Sequence, residues 1–492
     1  MAKRISKSQF MMGLQCPKRL WLYNFRKELL PPVDPATQHL FDEGHRVDEI
    51  SRGYFRGGKL VAFDFRQLQH AVKHTAWLMN DGAKLIYEGA FTAADVLIRC
   101  DILKKNTDGS WDLVEVKSST DVKEEHLSDV AIQRYILEAA GVKVKKTWLM
   151  HINNQFVKDG PIDAKKFFTR KDITAEVAAL LPSIKENLAR FLEALAGPCP
   201  EPGIGRHCSN PYDCEFRHFC WKGVPEYSIY DIPRLRWDKK NLLKAMGIVS
   251  FRDVPETFDL NDAQRLYLKV EKTGRPAVDA RAIAAFLREI KYPLYHIDFE
   301  TIMPGIPLYD GTRPYQQLPF QVSLHVQDSP GAEPRHLEYL GDPNSDPRPG
   351  LIAFLLKNIG PDGSLLAYNS AFEESRLREM ADNFPASGDA LRALADRAVD
   401  LMRPFKEQAY VLPEFHGRYS IKVLLPAMVP DMTYEGLPIG NGAVAQLAYM
   451  DMIDGKMDRQ LIEKTRHDLL VYCGQDTMAM VKILARLYDA AK

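Results

Sequence analysis

The sequence predicts an α/β protein built from two sheet-bearing parts joined by a helical stretch. Length is the first reason: 492 residues are too many for one hydrophobic core. The second is that short apolar strands alternate with amphipathic helices twice, over residues 60–196 and again from Tyr292 onward. The third is the polar, helical pattern between them. Boundaries are therefore expected at 1–223, 224–290 and 291–492. A hydrophobic content of 46% with 26% charged residues is that of a soluble globular protein. No run of about eighteen apolar residues exists to span a membrane. The first residues are charged and lack an apolar signal core, so a cytoplasmic protein is expected. Formal net charge is zero and gives no sign of a polyanionic partner. Locally, Lys3, Arg4, Lys7, Lys18, Arg19, Arg26 and Lys27 face only Glu28, a solvated surface or a phosphate-backbone groove.

In chain order, Ser6 caps a helix that Pro17 interrupts just after Cys16. A second helix is expected over 37–57, a strand near Leu60–Phe63 and a helix over Gln67–Met79. Strands near Lys84–Ala90, Ala94–Leu103 and Asp112–Ser118 come next, followed by a helix through 124–140, a strand at Lys146–Ile152 and a long helix over 172–196. Residues 197–223 are rich in Cys, Pro, Gly and His and need a staple to be ordered. Within 224–290, Leu242 to Ile248 followed by Phe251 to Pro255 reads as a connecting helical segment or as half of a helix–hairpin–helix. The second part offers strands at Leu294–Phe299, Phe320–Gln327 and Ser364–Tyr368, with helices near 349–358, 372–384, 387–397 and 459–490.

Three clusters carry chemistry. The stretch 101–117 reads as a hairpin turning at Asp108-Gly109, and alternation puts Trp111, Leu113, Glu115 and Lys117 on one face. Asp101 on the partner strand lets two carboxylates and an ammonium converge, enough to hold a hard divalent cation and orient a water. Glu88 either joins them or is a strand-edge carboxylate. Cys208, Cys214 and Cys220 are each separated by five residues, with Cys16 far upstream and Cys199 as a spare. An odd count of seven cysteines in a reducing compartment favours metal ligation over disulfides. Cys100 and Cys473 read as core. The third cluster is Asp298 and Glu300 at i and i+2 of a strand, Glu373 at a strand-to-helix junction, and Tyr472 and Asp476 one turn apart on the last helix. Asp400 is either a further acid near this group or a cap.

The first two clusters resemble the RecB branch of the PD-(D/E)XK nucleases, including AddB and the CRISPR-associated RecB-like exonucleases. His45 in Phe41-Asp-Glu-Gly-His45, Asp101, Glu115-Val116-Lys117 and Gln133 match that branch in order, although glutamine and tyrosine in 131–135 stand closer together than is usual there. The resemblance implies a restriction-endonuclease-like fold. It also implies Mg²⁺ or Mn²⁺ on His45, Asp101, Glu115 and the Val116 carbonyl, with Lys117 acting on the attacking water. It further implies a 4Fe–4S cluster on Cys16, Cys208, Cys214 and Cys220, with zinc as the alternative. The third cluster resembles the DEDD, or DnaQ-like, exonucleases of the RNase H-like fold. There four acids, here Asp298, Glu300, Glu373 and Asp476, gather two metals, and a tyrosine, here Tyr472, positions the water. Glu373 departs from the aspartate of that family. The fusion also looks like a bacterial or archaeal family whose second half has only a domain-of-unknown-function label.

Together these imply a DNA exonuclease with two metal centres and a structural iron–sulfur cluster. Two alternatives stand beside it. One is a nucleic-acid-binding or complex-assembly protein with one active RecB-like centre and a degenerate DEDD half. The other is a zinc-stapled RNA-processing nuclease.

Overall fold

The computed structural model describes residues 4–62 and 68–492, so the expected strand end at Phe63 and helix start at Gln67 lie outside the described residues. The fold is mixed α/β, in two compact units: Met1–Gly223 with Pro304–Gln316, and Val224–Met303 with Gln317–Lys492. No helix among the described residues is long and apolar enough to cross a membrane.

The first unit is built on seven strands: β1 (Ile5–Ser6), β2 (Lys59–Leu60), β3 (Leu85–Ala93), β4 (Val96–Lys105), β5 (Trp111–Lys117), β6 (Val144–Ile152) and β7 (Phe168–Asp172). Their order is β2-β3-β4-β5-β6-β7, with β1 beside β4. The predicted hairpin is β4–β5, and its turn needs glycine because Gly109 sits at φ +82°. Antiparallel pairing between its strands runs only as far as Ile102 opposite Val114. Beyond that point β5 continues against β6 alone, while Ile5–Ser6 takes the vacated edge of β4 at Val96–Leu97. The strands thus part where the hairpin's acids lie. Ser6 caps the helix Lys7–Gln15 through a capping box with Gln9, and a second helix, Pro17–Phe25, starts directly after Cys16. The polar edge strand β7 and the short helix Ala164–Phe167 before it have no counterpart in the sequence reading.

The second unit holds β8 (Ala277–Val278), β9 (Leu294–Ile302), β10 (Leu318–Gln327), β11 (Arg335–Leu340), β12 (Ser364–Ala367), β13 (Ala398–Asp400) and β14 (Tyr410–Val411). Five of them form a sheet in the order β11-β10-β9-β12-β13, antiparallel through β11, β10 and β9 and parallel from β9 to β13. Tyr295, Ile297 and Phe299 of β9 bury into the core under the helices Arg348–Asn358, Ala371–Asn383 and Gly388–Ala395. The intervening residues face the other way, toward the helix Arg459–Ala490.

Residues 224–290, set apart by their polarity in the sequence, fall within this second unit. The reason is pairing and burial: β8 pairs β14, and Val411 joins the core of Tyr227, Phe251 and Leu268. The helix–hairpin–helix alternative is corrected here. Gly247 does end the helix Trp237–Ala245 at φ +76°, but only one 3-10 turn, Phe251–Asp253, follows, and the next helix begins at Asp262.

Candidate metal centres

Alternation along β9 puts Asp298 and Glu300 under the long C-terminal helix, where Tyr472 and Asp476 share one face. Glu373 arrives from the first turn of the helix Ala371–Asn383, where free main-chain N–H groups favour a carboxylate. With Tyr368, Phe372 and Lys422, these side chains line a cavity of about 230 Å³. Burial and mutual repulsion dominate its electrostatics. Burial, then the charges of Asp476, Glu300 and Glu373, push the Asp298 carboxyl well above the ordinary range. Glu300 is raised to about 8 by burial and by Asp476, with Lys422 opposing. Glu373 is raised to about 8, chiefly by burial, and its buried Oε2 has no hydrogen-bond partner. Asp476 is raised to about 6 by burial, against a hydrogen bond donated by Tyr434. Four acids are thus held together with a single lysine, Lys422, among the groups lining the cavity. The donor atoms of Asp298, Glu300 and Cys473 lie within 4.8 Å of one another. Cys473 is buried as expected, and its thiol also donates to Asp298 Oδ2 at 3.6 Å. Asp400 accepts from the N–H groups of Asn369 (2.8 Å) and Met402 (3.0 Å), and its charge also raises Glu373, so it is both a cap and a further acid near the group.

In the first unit, the parting of β4 from β5 leaves the Val116 N–H without a strand partner, and Asp101 Oδ2 accepts it at 2.7 Å. Glu115 is wholly enclosed: Oε1 takes Lys117 at 2.7 Å and Lys7 at 2.8 Å, and Oε2 takes Gln133 Nε2 at 2.7 Å. Both ammoniums also reach Asp129, at 2.6 Å from Lys117 and 3.1 Å from Lys7. Burial works against the two lysines, yet Asp129 and Glu115 outweigh it and hold both above the ordinary lysine range. Burial likewise opposes Asp129, and Lys117 and Lys7 keep it below the ordinary carboxylate range. Asp101 goes the other way, raised well above its usual value by burial and then by Glu115 and Asp48. Asp48, on the helix Pro35–Arg52, is raised to about 7 by burial and the charges of Glu88 and Glu115.

The structure therefore gathers Asp101, Glu115, Val116, Lys117 and Gln133. His45 lies on the exposed side of that helix, one turn before Asp48, and His45, Asp101 and Glu115 do not form a group within 4.8 Å. Glu88, at φ +58°, is engaged by Arg99 at 2.8 Å and Arg52 at 3.6 Å. The sequence reading missed Lys7, Asp48 and Asp129 here, and Lys422 and Tyr434 in the second unit. Only Asp129 carried a signal, lying one helical turn before Gln133.

Cys16, Cys208, Cys214 and Cys220 stand near enough for their thiols to influence one another. Cys16 is nearly buried between its two helices, and Gln15 Nε2 donates to the carbonyls of His207 (2.8 Å) and Tyr212 (2.7 Å). Arg19 pairs with Glu215 at 2.8 Å, and the Cys214 N–H donates to the Cys208 carbonyl at 3.0 Å. Burial first raises the thiols of Cys16, Cys214 and Cys220; Cys208 adds to it at Cys16, Glu215 and then Cys16 at Cys214, and Cys16 and Cys208 at Cys220. Cys199 feels Cys16 as well. No three of these sulfurs lie within 4.8 Å of one another.

Comparison with known proteins gives relatives without assigned activity. A family described as Domain of unknown function (DUF2779) matches residues 295–420. Uncharacterized protein UU173 of Ureaplasma parvum is 25% identical over 96% of this chain and 66% of its own length. Uncharacterized protein MG366 of Mycoplasma genitalium and its Mycoplasma pneumoniae homolog are each 26% identical, over 42% and 40% of this chain and 33% and 32% of theirs. A solved chain titled "Crystal structure of SSO0001" aligns with 46% of this chain and 89% of its own at 13% identity and a TM-score of 0.24. The chain thus spans less than two thirds of the length of each of these three curated relatives.

Proposed function

We propose that the chain is a metal-dependent nuclease acting on DNA, with a DEDD-type centre in the second unit and a RecB-like centre in the first. One observation carries the reading. Glu300, Glu373 and Asp476 are buried and Asp298 half-buried around one cavity, from three separated stretches of chain, with their carboxyls pushed up and Glu373 Oε2 unpartnered. Burying uncompensated carboxylates is costly, and a divalent cation relieves that cost. The donor set is all oxygen apart from the Cys473 thiol, which suits Mg²⁺ or Mn²⁺ on Asp298, Glu300, Glu373 and Asp476. Held by these carboxylates, such a cation would supply the positive charge that acidifies a water and offsets charge on a phosphate ester. Tyr472, hydrogen-bonded to Asp476, would orient the water, and Lys422, which lines the same cavity, would face the phosphate.

In the first unit Lys117 and Lys7 pair with Glu115 and Asp129, and Gln133 donates to the Glu115 carboxylate. The gap between β4 and β5 leaves the Val116 main chain and Asp101 facing one another, which supports a ligand role for both. Cys16, Cys208, Cys214 and Cys220 supply the four thiolates that a 4Fe–4S cluster, or zinc as the alternative, would take.

The test is an assay with end-labelled single- and double-stranded DNA and RNA in Mn²⁺, run on the full chain and on Asp298→Ala and Lys117→Ala. Distinct activities lost in each variant are expected. Full activity in both variants would sink the two-centre reading.

A further inference from the structure

Residues 304–316 join β9 to β10, two strands of the second unit, yet they belong to the first unit. Prolines at 304, 307 and 314 restrict the segment, and Gly305 and Gly311 allow its close approach and turn. Its tip is fastened by main-chain bonds between Gly311 N–H and the Lys158 carbonyl (2.8 Å) and between Lys158 N–H and the Thr312 carbonyl (3.0 Å). Lys158 also pairs with Asp310.

Its two legs end at the first centre. The Gly305 N–H donates to Glu43 Oε1 at 2.6 Å, and the Tyr315 hydroxyl donates to the Ser118 carbonyl. Glu43 stands two residues before His45 and five before Asp48 on the helix Pro35–Arg52, and Ser118 follows Lys117 directly. The legs are also packed on each other. A Cβ at Gly305 would meet the Tyr315 ring at 2.9 Å and Glu43 Oε1 at 3.0 Å. Tyr315 is held in the left-handed region at φ +57°, which a bulky side chain adopts only when its surroundings impose it. The helix needs such a tether, because of its eighteen residues only Val47 and Ser51 are buried.

We propose that this strap is the positioning element of the first centre. Through Glu43 and Ser118 it holds the helix bearing His45 and Asp48 at a fixed distance from the strand bearing Glu115 and Lys117. The inference rests on the nuclease reading of that centre. It also means that a segment beginning four residues after Glu300 completes a site whose other parts lie more than 160 residues earlier.

The experiment uses the full chain carrying Asp298→Ala, so that only the first centre is read, with 5′-labelled single-stranded DNA and Mn²⁺. Glu43→Ala and Tyr315→Phe are each expected to lower kcat about 10-fold, the cost of a misplaced catalytic wall, with KM within about twofold. Glu43→Gln keeps the acceptor for Gly305 and is expected to restore the rate. Unchanged rates in Glu43→Ala and Tyr315→Phe, or a Glu43→Gln variant as slow as Glu43→Ala, would overturn the proposal. If the Asp298→Ala chain neither cleaves DNA nor changes on adding Lys117→Ala, the nuclease reading of this centre fails instead. Hydrogen exchange then decides about the strap alone: faster exchange in residues 35–52 of both strap variants supports it, and unchanged exchange overturns it.

Discussion

The two candidate centres bury similar numbers of acids and neutralise them in opposite ways. In the first, Glu115 and Asp129 are matched by Lys7 and Lys117 at hydrogen-bond distance, and only Asp101 and Asp48 beside them are pushed up. In the second, Asp298, Glu300, Glu373 and Asp476 share one lysine, and their carboxyls are pushed up. A carboxylate motif is thus a poor guide to cation demand; the balance of buried charge is a better one. By that measure the second centre asks for a cation more strongly than the first.

The sharpest way to break this contrast is Lys7→Ala. Removing one partner of a buried network leaves Glu115 and Asp129 short of charge and is expected to cost about 3 kcal/mol in urea unfolding. A loss below about 0.5 kcal/mol would mean that the first centre does not depend on its lysines. At the second centre the sign reverses: Asp298→Asn removes repulsion and is expected to raise the melting temperature in EDTA by about 2–4 °C. The same variant should lose Mn²⁺ binding at that site, followed by electron paramagnetic resonance.

Next in size is the pH dependence without divalent cations. Glu300 and Glu373 titrate near 8 in the fold and near 4.5 when unfolded, so the fold binds more protons between those values. Stability therefore rises as pH falls from about 8. His296 and His325, driven down to about 4 and about 3 mainly by burial, act oppositely. The unfolded chain protonates them first, and stability is lost as pH falls below about 6.5. A maximum in melting temperature between these limbs is expected, with Mn²⁺ flattening the upper one. A monotonic profile would contradict the charge assignment. The smallest effect expected is that of Glu373→Asp, a change of less than about 1 kcal/mol, or about fivefold, in Mn²⁺ affinity.

Much of this was legible locally. Alternation gave the inward pair Asp298 and Glu300, the four-residue step gave Tyr472 with Asp476, and cysteine spacing gave Cys208, Cys214 and Cys220. What was illegible depends on how strands part and helices dock. Lys7 matters only because β5 leaves β4 after Val114 and β1 fills the edge. Lys422 and Tyr434 reach their cavity on a helix and loop that carry no motif of their own. The strap is the extreme case, since nothing in its prolines and glycines says that it leaves the sheet it interrupts.

That strap also fixes a timetable. A ribosome reaches Tyr315 roughly 200 residues after Lys117, some 10–40 s later at about 5–20 residues per second. The N-terminal unit therefore cannot finish folding as soon as its own stretch has emerged. Until then the helix Pro35–Arg52 lacks the bond that Glu43 accepts from Gly305, and Ser118 the one it accepts from Tyr315.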